Sequence, residues 1–558
     1  MLWSDIQNHE GHSVDAVGIT LAMLLAVIVS GLVVRVLPWP LPVPLVQIGL
    51  GAVIAGVFNH GVSLEPEVFF LLFLPPLLFL DGWRIPKEGL LRDKLSIIEL
   101  AFGLVFFTVL GLGYFIHWMI PSMPLAMAFA LAAIVSPTDP VAVSAITARV
   151  PIPKRVMHVL EGESLLNDAS GLVAFRFAVA AAVTGSFSLA SAALSFVWVA
   201  LAGLAVGVAF TWLVTTIKDI FTRRFGEEPA SQILLSLLIP FGAYELAEHV
   251  HASGILAAVS AGVAMSYVEL SGRAMAITRV QRAAVWNTVQ FTLNGIMFVL
   301  LGEQLPEIFR GAVRVVETTG HHNPWWLLVY ALAINLALAV LRFGWVWGSL
   351  MVGRRVARRH GRTAPEPSLR LTLAVSLAGV RGAITLAGVL TLPLVVADGS
   401  PLPARDLAIF LAATVIILSL VGASICLPRL LRNLGVPLES EDHAEQDLAS
   451  VAARGAAAKA IEQTLHDMVV QNPHIDPQRY TSVADRLMAT LAVPSHGAHE
   501  GELDAAQLRE QAEVEAAMRL AAIRASRQEL FRLARSKVIS DETCMAAVRR
   551  LDLQEARL

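Results

Sequence analysis

Up to about residue 430 the chain is a succession of apolar runs of about 20 residues, the length at which an α-helix crosses a hydrocarbon core roughly 30 Å thick. Backbone groups in that core find no water, so a chain of this kind is restricted to helices that satisfy their own hydrogen bonds. About thirteen runs are expected to span, at 15–36, 41–58, 65–81, 96–119, 122–148, 156–183, 188–217, 229–248, 252–269, 286–304, 325–350, 369–397 and 404–430. Composition agrees: 56% of residues are hydrophobic, 16% are charged and the mean hydropathy is +0.64. The fold class is therefore an all-α polytopic membrane protein.

An odd number of spans places the termini on opposite sides, and Lys and Arg concentrate in loops that stay in the cytoplasm. Alternate loops hold nineteen such residues, Arg84, Lys87, Arg279 and Arg354 among them, against Arg310, Arg314 and Arg405 in the intervening ones. The polar segment 1–14 is thus expected outside, residues 15–432 form the membrane domain, and the tail 433–558 lies in the cytoplasm. A cleaved signal would need a basic start and an apolar core, and MLWSDIQNHEGHSVD has neither. The net charge of −3 is segregated into loops and tail and implies no nucleic-acid partner. Cys426 and Cys544, the two cysteines, form no disulfide or metal framework. No GxxxxGK[ST] run offers an ATP site and no cofactor is indicated, so an ion gradient is the expected energy source.

The tail changes character after Arg432, where charge rises. Segments 445–470 and 503–536 carry helical periodicity, with Pro473, Pro477, Pro494 and Gly497 expected to break the stretch between them. It is expected to be a small solvated helical domain or a pair of dimerising helices, with regulation by pH or by an unknown ligand as the sharper alternative.

Polar residues inside apolar spans carry the chemistry. An ionised side chain at the bilayer centre costs roughly 2.5–3.5 kcal/mol on insertion scales, so such residues mark ion or proton pathways. Residues 136–140 read Ser-Pro-Thr-Asp-Pro in mid-span; prolines remove backbone donors and interrupt the helix, as in the broken helices of transporters. The next span reads LEGESLLNDASG. Glu163 and Asn167, and Ser164 and Asp168, are i,i+4 pairs, which we expect on one stripe facing Thr138 and Asp139. Hard oxygen donors suit a small cation such as sodium, and a proton competing for one of the carboxylates would suffice for antiport. Glu161 lies nearer the cytoplasmic mouth.

The second half repeats the theme. Gly379 and Gly382 flank Arg381 in the twelfth run, so six-helix halves joined by the seventh span form an inverted repeat with interruptions at matching fifth positions. Arg381 needs a carboxylate partner, and Glu163 is the expected one. Arg342 and Arg176 are expected to extend toward an interface, whereas Asn294, Asn335, Tyr244 and Glu245 line the cavity or bridge helices. His249 and His251 fall in an outer loop.

SPTDPVAV, EGESLLND and GVRGAIT, in that order and on these spans, make residues 15–430 resemble the cation:proton antiporter family 1, the bacterial NhaP-type sodium/proton exchangers. The resemblance implies a homodimer of dimerisation and core subdomains in the lipid bilayer, with two crossed unwound helices in the core. It implies that Asp168 alternates between H+ and Na+ or Li+, with Thr138, Asp139 and Ser164 holding the cation, Glu163 nearby, and Asn167 and Arg381 in support. Asn167-Asp168 stands where related electrogenic antiporters carry Asp-Asp, which predicts electroneutral one-for-one exchange by alternating access. K+/H+ exchange is the main alternative. A channel or sensor is more remote, as is an intramembrane aspartyl protease, because Asp139 and Asp168 lack GxGD and YD settings. The compact tail points to a bacterial inner membrane.

Overall fold

The computed structural model describes residues 2–36, 41–58, 66–85, 87, 94–139, 143, 154–185, 189–270, 274–318, 323, 325–359, 368–396, 399–431, 440–471, 477–492 and 505–555. The expected segment from Pro140 to residue 148 lies outside these apart from Val143, as do Pro473, Pro494 and Gly497. The membrane domain comprises α1 (Leu2–Val36), α2 (Val43–Phe58), α3 (Pro66–Arg84), α4 (Lys94–Ile98), α5 (Val105–Met119), α6 (Leu125–Val135), α7 (Lys154–Thr184), α8 (Leu189–Phe225), α9 (Pro229–His249), α10 (Gly254–Glu269), α11 (Ala276–Thr318), α12 (Trp325–Arg359), α13 (Leu369–Leu377), α14 (Ala383–Leu390) and α15 (Arg405–Leu431). Among the described residues eight helices are long and apolar enough to cross a membrane, and Val43–Val57, Leu125–Val135 and Gly254–Glu269 are shorter apolar helices. The two remaining expected runs coincide with α3 and with the broken pair α13–α14.

These helices pack in two groups. The first contains α1–α3 and α8–α11; the second contains α4–α7 and α12–α15. They meet where α11 packs on α15 and where α14 and α7 approach α3. Lipid is as apolar as leucine, so helices in a bilayer associate by close packing of small residues. In the first group this is reciprocal. A Cβ on Gly302 would lie 1.9 Å from the Ile48 carbonyl oxygen, and one on Gly51 1.9 Å from that of Val299, so α2 and α11 touch backbone to backbone. Gly262 against Phe79 and Gly82 against Val259 do the same for α10 and α3.

In the second group α4 passes into α5 through a π-helical segment, Glu99–Leu104. Ser170 of α7 donates to the Ala101 carbonyl there at 2.7 Å, which gives a partner to an oxygen in the irregular stretch. Large apolar side chains such as Trp198, Trp212 and Phe221 on α8 are exposed, as a lipid-facing surface requires.

The tail forms α16 (Ser440–Gln471), α17 (Pro477–Ala492), α18 (Ala505–Arg535) and α19 (Asp541–Glu555), packed on one another. The two long helices occur where periodicity places them. Pro477, expected as a breaker, instead opens α17, because a helix's first residue needs no backbone donor.

Gly302→Ala is expected to force α2 and α11 apart, at a cost of about 1–3 kcal/mol for overpacking. Thermal unfolding in detergent would show a lowered midpoint, and an unchanged midpoint would contradict the backbone contact.

Candidate ion site

Two helices stop inside the bundle, and their breaks touch. Past Val135 the chain leaves helical geometry through Ser136, Pro137, Thr138 and Asp139; α13 ends at Leu377, and α14 starts only at Ala383. The Asp139 N–H donates to the Val380 carbonyl at 2.7 Å, crossing one break over the other. Freed carbonyls at such depth must find protein donors. Arg381 supplies them: its Nε donates to the Val135 oxygen at 2.8 Å and its Nη1 to the Gly379 oxygen. Gly382 precedes α14 with an extended backbone. A Cβ there would fall 2.0 Å from Asp139 Oδ2, so glycine lets this carboxylate sit at the α14 N-terminus, where the helix dipole favours negative charge.

A cavity of about 30 Å³ lies against this crossing, room for about one water-sized species. Thr138, Asp139, Ser164, Asp168 and Thr385 line it from the second helical group; Asp81, Gln290 and Asn294 line it from the first. It sits at the boundary between the groups. Thr138, Ser164 and Asp168 are buried, and among the described residues no hydrogen bond or ion pair holds the Asp168 carboxylate. Asn167 Nδ2 donates to Thr138 Oγ1 at 3.1 Å, fixing the hydroxyl, while its own Oδ1 is buried without a described partner.

Three expectations are corrected. Glu163 does not pair with Arg381. It forms a fork with Arg342 of α12, Nη1 to Oε1 and Nη2 to Oε2 at 2.7 Å, and Arg342 Nε also donates to the Val375 carbonyl at 3.2 Å. Arg381 is committed to backbone oxygens, which leaves Arg342 to neutralise the acid. Nor do the four polar residues share one stripe: at about 100° per residue, Glu163 and Asp168 point roughly 140° apart. Ser164 and Asp168 face the cavity, Glu163 faces α12, and Asn167 reaches the first break. Arg342 does not extend to an interface, being 3% exposed.

Among the weaker candidates, Arg176 does reach out, meeting Glu248 at 3.1 Å. Asn294 lines the cavity, whereas Asn335 donates to the Ala331 carbonyl of its own helix. Tyr244 packs beside Gly254, and Glu245 lies 3.9 Å from the exposed His249. The sequence reading missed Asp81, Gln290 and Thr385. For Asp81 a signal exists: LLFLPPLLFLDG puts an acid just past a tandem proline in an apolar run, the pattern that singles out Asp139.

A family model described as sodium/hydrogen exchanger, transmembrane, matches residues 21–433. The chain is 40% identical over 541 residues to the uncharacterized Na(+)/H(+) exchanger YjcE of Escherichia coli strain K12, covering 96% of this chain and 98% of that one. It is 44% identical over 418 residues to the sodium, potassium, lithium and rubidium/H(+) antiporter of Bacillus subtilis strain 168, covering 74% of this chain and 60% of that one. The solved sodium proton antiporter MjNhaP1 of Methanocaldococcus jannaschii shares the fold, with a TM-score of 0.56 at 18% identity over 75% of this chain and 99% of that one. The chain belongs to the sodium/hydrogen exchanger family.

Breaking a buried ion pair leaves a charge without compensation and costs about 3–5 kcal/mol. Glu163→Gln and Arg342→Gln are each expected to lower the thermal midpoint accordingly, and the double variant to lose less than the sum. Strict additivity would refute the pairing.

Proposed function

We propose that this member of the sodium/hydrogen exchanger family exchanges one Na+ or Li+ for one H+ through competition at Asp168. It is a multi-pass secondary transporter and not an enzyme. One observation carries the site assignment: of the buried carboxylates on α7, Glu163 is neutralised by Arg342, while Asp168 faces an oxygen-lined cavity with no described partner. A bare carboxylate in such a place is costly. Either a proton or a cation relieves the cost, and the small volume favours one occupant at a time.

A dehydrated cation would take oxygens from Asp168, Ser164 and Thr138, with Asp139 beside them. Asp139 lies at the positive end of α14, and we assign the change of occupancy to Asp168, which has no partner among the described residues. Asn167 contributes no second charge to that exchange, and the transfer is electroneutral. The cavity's position between the two helical groups supports alternating access, in which one group moves against the other and exposes the site to opposite faces. We assign the first group to dimerisation and the second to the transport core. The tail covers the face with the basic loops, so we place it in the cytoplasm of a bacterial cell, with the N-terminus outside the inner membrane. K+/H+ exchange is the second reading; it draws support from the relative in Bacillus subtilis, whose name includes potassium and rubidium.

Proteoliposomes test the assignment. Sodium or lithium added to acid-loaded vesicles is expected to drive proton efflux in the wild type and none above background in Asp168→Asn; intact flux in that variant would overturn the site. Faster exchange with potassium than with sodium would establish the second reading. Clamping the potential with valinomycin should leave wild-type flux unchanged, whereas Asn167→Asp, by adding an ionisable group, should make it respond at about 2.3 kcal/mol per charge per 100 mV. A voltage response in the wild type would exclude one-for-one exchange.

A further inference from the structure

The ion cavity has a larger neighbour. A second cavity, of about 810 Å³, lies where the membrane domain faces α19, and three helices join the two. On α3, Arg84 lines the large cavity and Asp81 the small one; on α11, Asn287 and Gln290 divide in the same way, and on α7, Glu161 and Ser164. Each pair is three residues apart, so the cavities are stacked along three helices with an offset of roughly 4.5 Å. Chain direction agrees: α3 runs toward the large cavity, whereas α7 and α11 run away from it. The large cavity is the vestibule of the small one, and a cation passing between them travels about one helical turn.

A charged group lies across that step. Arg84 reaches from α3 to α11, where Nη1 donates to Gln290 Oε1 at 2.6 Å and Nη2 to Asn287 Oδ1 at 2.5 Å. A guanidinium has only donors, so it engages the oxygens of both amides and leaves Gln290 its NH2 alone to offer the ion cavity. Other cations of the vestibule are matched by carboxylates: Arg279 by Asp552, Arg282 by Glu269 and Lys87 by Asp541. Arg84 is exposed and is held by two neutral amides. Among the described residues it forms no ion pair, even with Asp81 one turn away. The clamp therefore fixes an unmatched positive charge at the floor of the vestibule and turns away an oxygen that a cation could use. Both effects oppose cation entry, and an arginine set in an ion path is a barrier of this kind.

We propose that Arg84 is a gate residue for the transported cation on the tail side. Held by Asn287 and Gln290, its charge raises the cation concentration needed to reach Asp168 from the vestibule. The gate rests on the antiport reading, whose site it guards.

The test measures sodium-driven proton flux by the full-length protein in vesicles sorted for orientation by protease access to the tail. With sodium added on the tail side, Arg84→Gln is expected to lower its KM about three- to tenfold, as removal of one charge near a wet site allows. The change should be smaller with sodium on the opposite face. Arg84→Lys, which keeps the charge, is expected to keep the wild-type KM. Arg84→Cys in a Cys426→Ala background repeats the test within one folded protein. Burial pushes the Cys544 thiol up to about 12, so that native cysteine stays unreactive toward methanethiosulfonates. The ethylammonium reagent returns a positive charge to position 84 and is expected to restore the higher KM; the neutral methyl reagent should leave it low. A tail-side KM unchanged or raised in Arg84→Gln and Arg84→Cys, or equal effects of the two reagents, would overturn the gate. A wild-type protein that exchanges no cation for protons would instead overturn the antiport reading.

Discussion

A helix that stops in the middle of a membrane leaves carbonyls that only the protein can satisfy, and the site depends on how this chain does so. Arg381 bridges the Val135 and Gly379 oxygens, one from each broken segment, while the Asp139 N–H takes the Val380 oxygen. One cation thus holds two breaks together and offsets the negative ends of two half-helices. Without it the crossing would expose unpaired carbonyls at a depth where each costs several kcal/mol. The crossing in turn places Asp139 and Thr138 opposite α7, and Gly382 leaves room for the approach.

Of the two buried carboxylates that α7 brings to this crossing, one is neutralised and the other has no partner among the described residues. Glu163 and Arg342 tie α7 to α12 and, through Val375, to α13; they stiffen the second helical group. Asp168, five residues along the same helix, is left to whatever occupies the cavity. An antiporter needs this contrast, because a carboxylate held by an arginine cannot exchange a proton for a cation. The first group contributes Asp81, Gln290 and Asn294 to the same cavity, so the proposed movement between the groups would change the coordination available to an occupant.

Much of this was legible in the chain. The apolar runs gave the helical membrane class, the Pro-Thr-Asp-Pro and Gly-Val-Arg-Gly interruptions gave the breaks, and Asp168, Asp139, Thr138 and Ser164 do line one cavity. What failed was pairing. Two intramembrane arginines compete for one glutamate, and the outcome depends on the backbone carbonyls left open by three-dimensional crossing, which spacing along a sequence does not encode. Counting four polar residues as one stripe failed for a simpler reason: i,i+4 pairs that share a helix do not share a direction when they are offset by one residue. Asp81 carries a local signal, an acid past a tandem proline, but its place in the cavity is set by the packing of α3 against α14 and α7, a long-range contact.

The central claim is that proton and cation compete for Asp168, and proton release on cation binding tests it without any assumption about transport rate or orientation. Calorimetric titration of the purified protein with sodium, in buffers of different ionisation enthalpy and at a pH where Asp168 carries its proton, counts the protons displaced. The account predicts about one proton released per cation bound and none in Asp168→Asn. Sodium binding without proton release in the wild type, or unchanged release in the variant, would contradict it.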